Sequence, residues 1–473
     1  MRRNRQRRRN RLVYLVVGFV VISIALLVAV SSGYFVTRNG TVQTSLVETS
    51  FVSHAEESDY MTEYPTQVST SEPNAIAVDA NGNVWFALWN LSSIAELNPF
   101  NGVLHEYHVP GLANGSMITW AIAVDNSRQM VWFPEYTSNS IWGFNITSAT
   151  FVQYKLSTPN AFPFGLTLDN NHNLWFTEID GNKIGELTSQ GSIEELKIPQ
   201  SGALEPSGIT TDSSGKVWFT LPATDSIGNY YQGNFGIQNL TGTIVDPVGI
   251  AVDSRGNVWI TQHGPSFISE LNFQDHYIKT ISTSNNSLPS SLPYFIHVDP
   301  NNNIWFNEHQ GNAMSEFIPT SNTLVEYFIP TKIAGSGNIS YSLTSALSDN
   351  GQPWYTELLS GKVGTVNTTK DLSVNLNLLN FSQSSVSITN GSEISLGLSV
   401  SSQSQTVSLH GYVGNFSDQG NFTFSFSLQS ASGNYNSRVT IQNIGARPGV
   451  YFITITARTA SLAVSKIIEI TVP

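Results

Sequence analysis

Six residues of this sequence have the chemistry of a site and recur at matching places along the chain. Glu135, Glu178, Glu308 and Glu357 each follow a short apolar run containing Trp, and His263 and His309 follow two such runs. Carboxylates gathered at one point would hold a hard divalent cation such as Mg²⁺. An imidazole beside them, as in Glu308-His309, would serve as general acid or base. The competing reading is that each Glu satisfies backbone donors between neighbouring copies of a repeat, because the position belongs to the repeat itself. Which reading holds depends on the elements that carry these residues.

Those elements are visible in Pro163–Leu187, PFGLTLDNNHNLWFTEIDGNKIGEL. It reads as strands Gly165–Leu168, Leu174–Glu178 and Lys183–Leu187 separated by Asn/Asp-rich and Asp-Gly turns, with a fourth strand in Ser192–Ile198. The central Trp recurs as Trp85, Trp132, Trp175, Trp218, Trp259, Trp305 and Trp354, which takes seven of the ten tryptophans. A four-stranded unit repeated about every 40–50 residues is a β-propeller blade, so seven blades are expected. The tryptophans are then blade packing, and Asp79 with its equivalents Asp125, Asp169, Asp212, Asp253 and Asp299 caps turns.

In a propeller the starts of the innermost strands and the ends of the second strands share one face, where loops from all blades converge. The second strands end in the glutamates and histidines above. The innermost strands begin at Asn74, Trp120, Phe164, Ser207, Val248, Tyr294 and Leu343. Trp120, Phe164 and Tyr294 are the aromatics expected to touch a ligand there, with Asn74 and Glu205 beside them. His297 is expected to be a satisfied core histidine.

Composition narrows the function. The chain has 473 residues, 12% of them charged, and no cysteine, which removes disulfide and thiolate chemistry. Seven of 22 basic residues are arginines within Met1–Arg11, leaving 15 basic against 34 acidic residues beyond it, a net −19. Such a surface excludes a nucleic-acid partner.

Residues 1–11 are a cytoplasmic Arg-rich segment, and Leu12–Val30 is uncharged over nineteen residues. This predicts a transmembrane anchor over residues 12–36, a single pass through the cell membrane and an extracytoplasmic remainder. Residues 37–59 read as a stalk. Asn-x-Ser/Thr acceptors, from Asn39 to Asn421, fit a glycosylated outer-surface protein. Residues 60–370 hold the propeller. Within it, YMTEYPT at Tyr60–Thr66 matches the fourth-strand pattern of HEYHVP and VEYFIP, so Met61–Tyr64 should complete the blade of Trp354. Residues 371–473 alternate apolar and polar in about seven short runs, an immunoglobulin-like β-sandwich. The expected fold class is all-β: one N-terminal transmembrane helix, a seven-bladed propeller and that sandwich.

The repeats EPSGITTDSSGKVWFT, FPFGLTLDNNHNLWFTEIDGNKIGEL and VEYFIP resemble those of the streptogramin B lyase (virginiamycin B lyase) family over roughly Tyr60–Asn367. The resemblance implies a propeller closed by a strand from the other end of the chain, and a Mg²⁺-dependent lyase that opens a cyclic depsipeptide ester by elimination. The family's catalytic histidines stand in Pro-His-x-Ile at two blade entries. Here that position holds Asn74, Trp120, Phe164, Ser207, Val248, Tyr294 or Leu343, and Glu205 matches only the Glu that precedes one of those histidines. The expected role is therefore recognition of a small molecule, glycan or surface protein at the channel entry. The alternatives are a metal-dependent lyase or ester hydrolase using His309 or His263 with the Glu ring, and a structural cell-envelope glycoprotein.

Overall fold

The computed structural model describes residues 35–473 apart from 38–39, 45–46, 53–54, 67–70, 114, 117, 241–243, 273–276, 284–290, 334–338, 380–384, 404 and 414–420. Seven antiparallel sheets follow the repeat. Their innermost strands are Pro73–Val78, Ala123–Asp125, Pro163–Leu168, Ile209–Thr211, Pro247–Val252, Pro293–Val298 and Ser345–Leu347. Each packs on the next, and the seventh packs on the first, which closes the ring.

Within a blade, the Asp expected to cap the first turn does more. Asp79 Oδ1 accepts the backbone N–H groups of Asn81 and Asn83, both at 2.9 Å, and its Oδ2 accepts the indole N–H of Trp85 at 3.3 Å. Asp169, Asp212 and Asp253 hold Trp175, Trp218 and Trp259 in the same way. In these four blades one carboxylate thus ties the turn to the buried ring, whereas the indole N–H groups of Trp132 and Trp305 have no such partner.

Between blades, the residue two after the Trp carries a second link in the third to sixth blades. Thr177 Oγ1 accepts from Gly165 N and donates to Ser207 O of the next blade; Thr220 and Thr261 repeat this with Gly208 and Val248, then Gly249 and Tyr294. Asn307 does the same from its longer side chain, to Phe295 N and Ser342 O. In the first two blades Ala87 and Pro134 occupy this position and cannot donate. The junctions there are made instead by Asn74 Nδ2 to Ile118 O at 2.7 Å and Thr119 Oγ1 to Pro163 O at 3.0 Å. Among the described residues, the junctions from the first blade through to the seventh therefore each carry a buried side-chain hydrogen bond close to the axis.

Met61–Pro65 pairs antiparallel with Lys362–Val366, Met61 opposite Val366 and Tyr64 opposite Val363, and completes the seventh blade. The stretch expected as a stalk is not free of structure. Phe35–Thr37 pairs with Gly40–Thr44, which extends the second blade; Val47–Phe51 extends the first, and Glu56–Glu57 extends the seventh. The chain thus covers three outer blade edges before it enters the ring.

The expected transmembrane helix, and the single-pass membrane localisation that rested on it, are corrected here. No helix among the described residues is long and apolar enough to cross a membrane. The helices described are three 3-10 turns, Trp89–Leu91, Pro222–Thr224 and Pro319–Ser321. Phe35 and Val36, assigned to the end of the anchor, lie in a strand, because a paired backbone is available at the edge of the second blade. The rest of that segment, residues 12–34, lies outside the described residues, as do the acceptors Asn39, Asn114, Asn285, Asn338, Asn380 and Asn415.

Beyond the propeller, residues 374–472 form two sheets. One runs Val374–Leu379, Glu393–Ser402, Tyr435–Asn443 and Phe422–Phe426 in spatial order. The other is not separate from the ring: Leu462–Val472 pairs both with Gly449–Arg458 and with Thr323–Phe328, the outer strand of the sixth blade. The region expected to be a sandwich therefore has one sheet continuous with a blade.

Candidate functional site

The candidate site lies where the innermost strands begin. In six blades the residue at or just before that point has a left-handed backbone: Glu72, Phe162, Glu205, Asp246, Leu292 and Tyr341, with φ between 45 and 58°. Five of these precede a proline, and positive φ is costly for side chains as bulky as Phe, Leu and Tyr. The conformation is held from the second strand of the same blade. The N–H groups of Ile179, His263, His309 and Leu358 donate to the carbonyls of Phe162, Asp246, Leu292 and Tyr341.

Five of the sequence-predicted residues meet here. Trp120 packs edge-on against Phe164, centroids 5.3 Å apart, and against Tyr294 at 5.8 Å, which joins the second, third and sixth blades across the mouth. Val248 completes the cluster, and Phe162 joins Phe164 to Tyr136. Tyr294 stacks on His309 at 4.6 Å, and His263 lies edge-on to both, at 5.3 and 5.4 Å. The ring is apolar, yet the Nε1 of Trp120 and the Oδ1 of Asn74 are buried in this region without a partner. Glu205 stands at the entry of the fourth blade, its N–H directed to Asn182 Oδ1 at 3.4 Å.

Burial sets the protonation of the histidines. His309 Nε2 donates to Leu343 O at 3.0 Å, yet burial, helped by the neighbouring His263, pulls its pKa to about 3. Burial lowers His263 to about 4, although Asp246 lies 3.9 Å from its Nδ1. Both rings are neutral near pH 7. A base whose conjugate acid has so low a pKa is weak. Burial likewise pushes the Tyr294 phenol up, so it stays protonated. His297 is part-buried and bonded to Ser345 O at 2.7 Å, a satisfied histidine.

The four glutamates are held in three different ways. Glu135 accepts the backbone N–H groups of Thr137 and Ser138, at 2.8 and 2.6 Å. Glu308 accepts Ser315 Oγ at 2.7 Å; burial, with Glu326 beside it, raises its pKa well above the carboxylate range. Glu178 and Glu357 belong to a constellation that occurs twice. Burial, and then a second carboxyl, raises each to about 8: Glu195 faces Glu178, and Glu63 faces Glu357. A lysine and a threonine from the preceding blade's exit complete each set. Lys183 donates to Thr158, whose N–H reaches Glu195 at 2.9 Å; Lys362 donates to Glu63 and Thr331, whose hydroxyl donates to Glu63 at 2.7 Å. These are clips between blades. Among the described residues no three His, Asp or Glu side chains are disposed to hold a metal ion. The expected Mg²⁺ set does not fit these four carboxylates, which do not share a site.

Sequence reasoning missed Phe162, Asp246 and Tyr341, whose signal was their place immediately before the strand entry. It also missed the linking role of Asn74.

Three comparisons bear on what this face belongs to. The model of the virginiamycin B lyase family matches residues 59–347, more than half of the chain. A streptogramin B lyase structure is 27% identical with a TM-score of 0.58, covering 65% of this chain and 97% of its own. The structure of a catalytically inactive variant of virginiamycin B lyase from Staphylococcus aureus with quinupristin is 24% identical, TM-score 0.57, covering 65% of this chain and 98% of its own; it shares the fold. No curated protein matches. The repeat, the closing strand and these likenesses agree: the chain belongs to the virginiamycin B lyase family.

Proposed function

We propose that the channel mouth is a recognition site for a small, largely apolar ligand bearing a ring and a hydrogen-bonding group, and that the family's elimination chemistry is not performed there. The observation that carries this reading is Trp120, which bridges Phe164 and Tyr294 with its indole N–H unpaired. A ligand ring entering between these aromatics would gain stacking and area burial while pairing that donor. The position that holds histidine in the family is occupied in the seven blades by Asn74, Trp120, Phe164, Ser207, Val248, Tyr294 and Leu343, and none of these is a base. His263 and His309 are weak bases at their lowered pKa values, and the glutamates act as clips. The second reading, a hydrolase or lyase, draws on the proximity of His309, His263 and Asp246.

Quinupristin, the compound held by a related lyase, separates the two. Titrated into the purified chain with Mg²⁺, it should change tryptophan emission, and Trp120→Ala should weaken that response about tenfold or more. Mass spectrometry of the mixture should show the intact ring. Ring-opened product that is lost in His309→Ala would establish the enzyme reading and remove this one. If quinupristin gives no response and neither does a panel of hydrophobic ring compounds, the recognition reading falls.

A further inference from the structure

A second concave surface lies at the far end of the first blade's innermost strand, where the turn at residues 79–83 meets the loop at 98–102. It is a groove of about 310 Å³ lined by Asn83, Glu96, Asn98, Asn101, Val103 and His105. Beside it stands Phe100, 83% exposed, its ring lying on Gly82. Val450, the next most exposed large apolar side chain among the described residues, reaches 54%. A phenyl ring left so open next to a polar wall is available to stack on a ligand held by that wall.

The wall has a definite hydrogen-bonding character. Asn98 Oδ1 accepts the N–H groups of Phe100 and Asn101, at 3.0 and 3.2 Å, and Asn101 Oδ1 accepts that of Val103 at 2.9 Å. With their oxygens committed, both side chains offer Nδ2 donors. Glu96 supplies an acceptor, held by the Tyr107 hydroxyl at 3.3 Å, and His105 is oriented by Thr49 at 2.9 Å.

The Asn and Glu of this wall belong to the repeat and are paired differently from blade to blade. In the fifth and sixth blades the equivalent Asn turns to the equivalent Glu, Asn257 to Glu270 at 2.9 Å and Asn303 to Glu316 at 2.8 Å. Asn83 donates to Asp79 at 3.1 Å, as Asn173 does to Asp169 in the third blade, and Glu96 lines the groove. No Lys or Arg among the described residues lines it, so an anion has no counter-charge. Burial raises the pKa of its one carboxyl, which is unsuited to a cation.

We propose that this groove is a saccharide site, which takes a neutral pyranose with its C–H face on Phe100 and its hydroxyls on Glu96, Asn98 and Asn101. Paired amide donors and a carboxyl acceptor suit vicinal hydroxyls, and the exposed ring suits the apolar face of the sugar. The site stands apart from the channel mouth and does not depend on that reading.

Saturation-transfer NMR on the full chain with glucose, galactose, mannose and N-acetylglucosamine, each at millimolar concentration, tests it. At least one sugar should receive saturation. Phe100→Ala, a surface change, should cut the signal about tenfold with an unaltered melting temperature, and Glu96→Gln should weaken it. Absence of transfer to every sugar, or a signal that Phe100→Ala leaves unchanged, would overturn the proposal.

Discussion

A single methyl group is enough to force adjacent blades apart. A Cβ on Gly165, Gly208 or Gly249 would fall on the carbonyl oxygen of Ser207, Val248 or Tyr294 in the next blade. These glycines are therefore present for close approach. Gly208→Ala is expected to cost roughly 1–3 kcal/mol, read as a lowered denaturant midpoint. Thr220→Val removes the hydroxyl between Gly208 N and Val248 O without changing shape, and should cost less, roughly 0.5–1.5 kcal/mol, because Gly208 N also donates directly to Val248 O at 3.1 Å. An unchanged midpoint in both would mean that the axial hydrogen bonds do not hold the ring. The paired carboxyls give a pH signature. Glu357, at about 8 in the fold against 4.5 in the free chain, binds its proton more tightly when folded. Its contribution is thus complete below pH 4.5 and is lost as pH rises towards 8. Glu178 behaves alike. Glu357→Gln, which imitates the protonated form facing Glu63, should flatten the fall in melting temperature between about pH 5 and 8. An equally steep fall would remove the pair as its cause.

At the scale of elements, the closing strand was legible because it repeats a fourth-strand pattern, and its length and register match a blade that lacked one. Glu63, on that strand, is 2% exposed and receives Thr331 and Lys362. Glu63→Ala should lower stability by roughly 1–3 kcal/mol, since it strands donors that are part-buried. A circular-dichroism melt reads the loss, and no loss would show that backbone pairing alone closes the ring. The strands at 35–57 were not legible. They show no period of their own and become strands by pairing with edges the propeller supplies, information that lies elsewhere in the chain. The same limit explains the glutamates. Alignment on Trp shows that Glu135, Glu178, Glu308 and Glu357 hold one position within a blade. It does not show that Glu195 and Glu63 face two of them while Ser315 and backbone N–H groups satisfy the others. The aromatic mouth was legible because Trp120, Phe164 and Tyr294 start innermost strands, and starts converge on the axis whatever the neighbouring residues are.

At the scale of the whole molecule, the C-terminal segment has become continuous with the propeller. The family match ends at residue 347, and the related streptogramin B lyase structure is covered over 97% of its length by 65% of this chain. In this chain Thr323–Phe328 pairs with Leu462–Lys466, and Val325 and Tyr327 are buried in a core that also holds Leu462, Val464 and Ile468. Arg458 lies over the Phe328 ring at 4.2 Å, and Lys466 donates to Thr323 at 2.5 Å. An apolar outer strand is a liability in an open blade, since it offers unpaired backbone and exposed side chains to other chains. Here the long C-terminal hairpin covers it. Calorimetry of the full chain should therefore give one transition in which ring and C-terminal sheets melt together. A chain ending at residue 370 should aggregate, or melt well below the full chain, because it leaves the backbone edge of Thr323–Phe328 unpaired and uncovers Val325. Lys substituted at Val325 should restore solubility to the shortened chain by charging the bared edge. Two well-separated transitions, with a soluble shortened chain melting at the temperature of one of them, would show that the shared sheet joins two independently stable units.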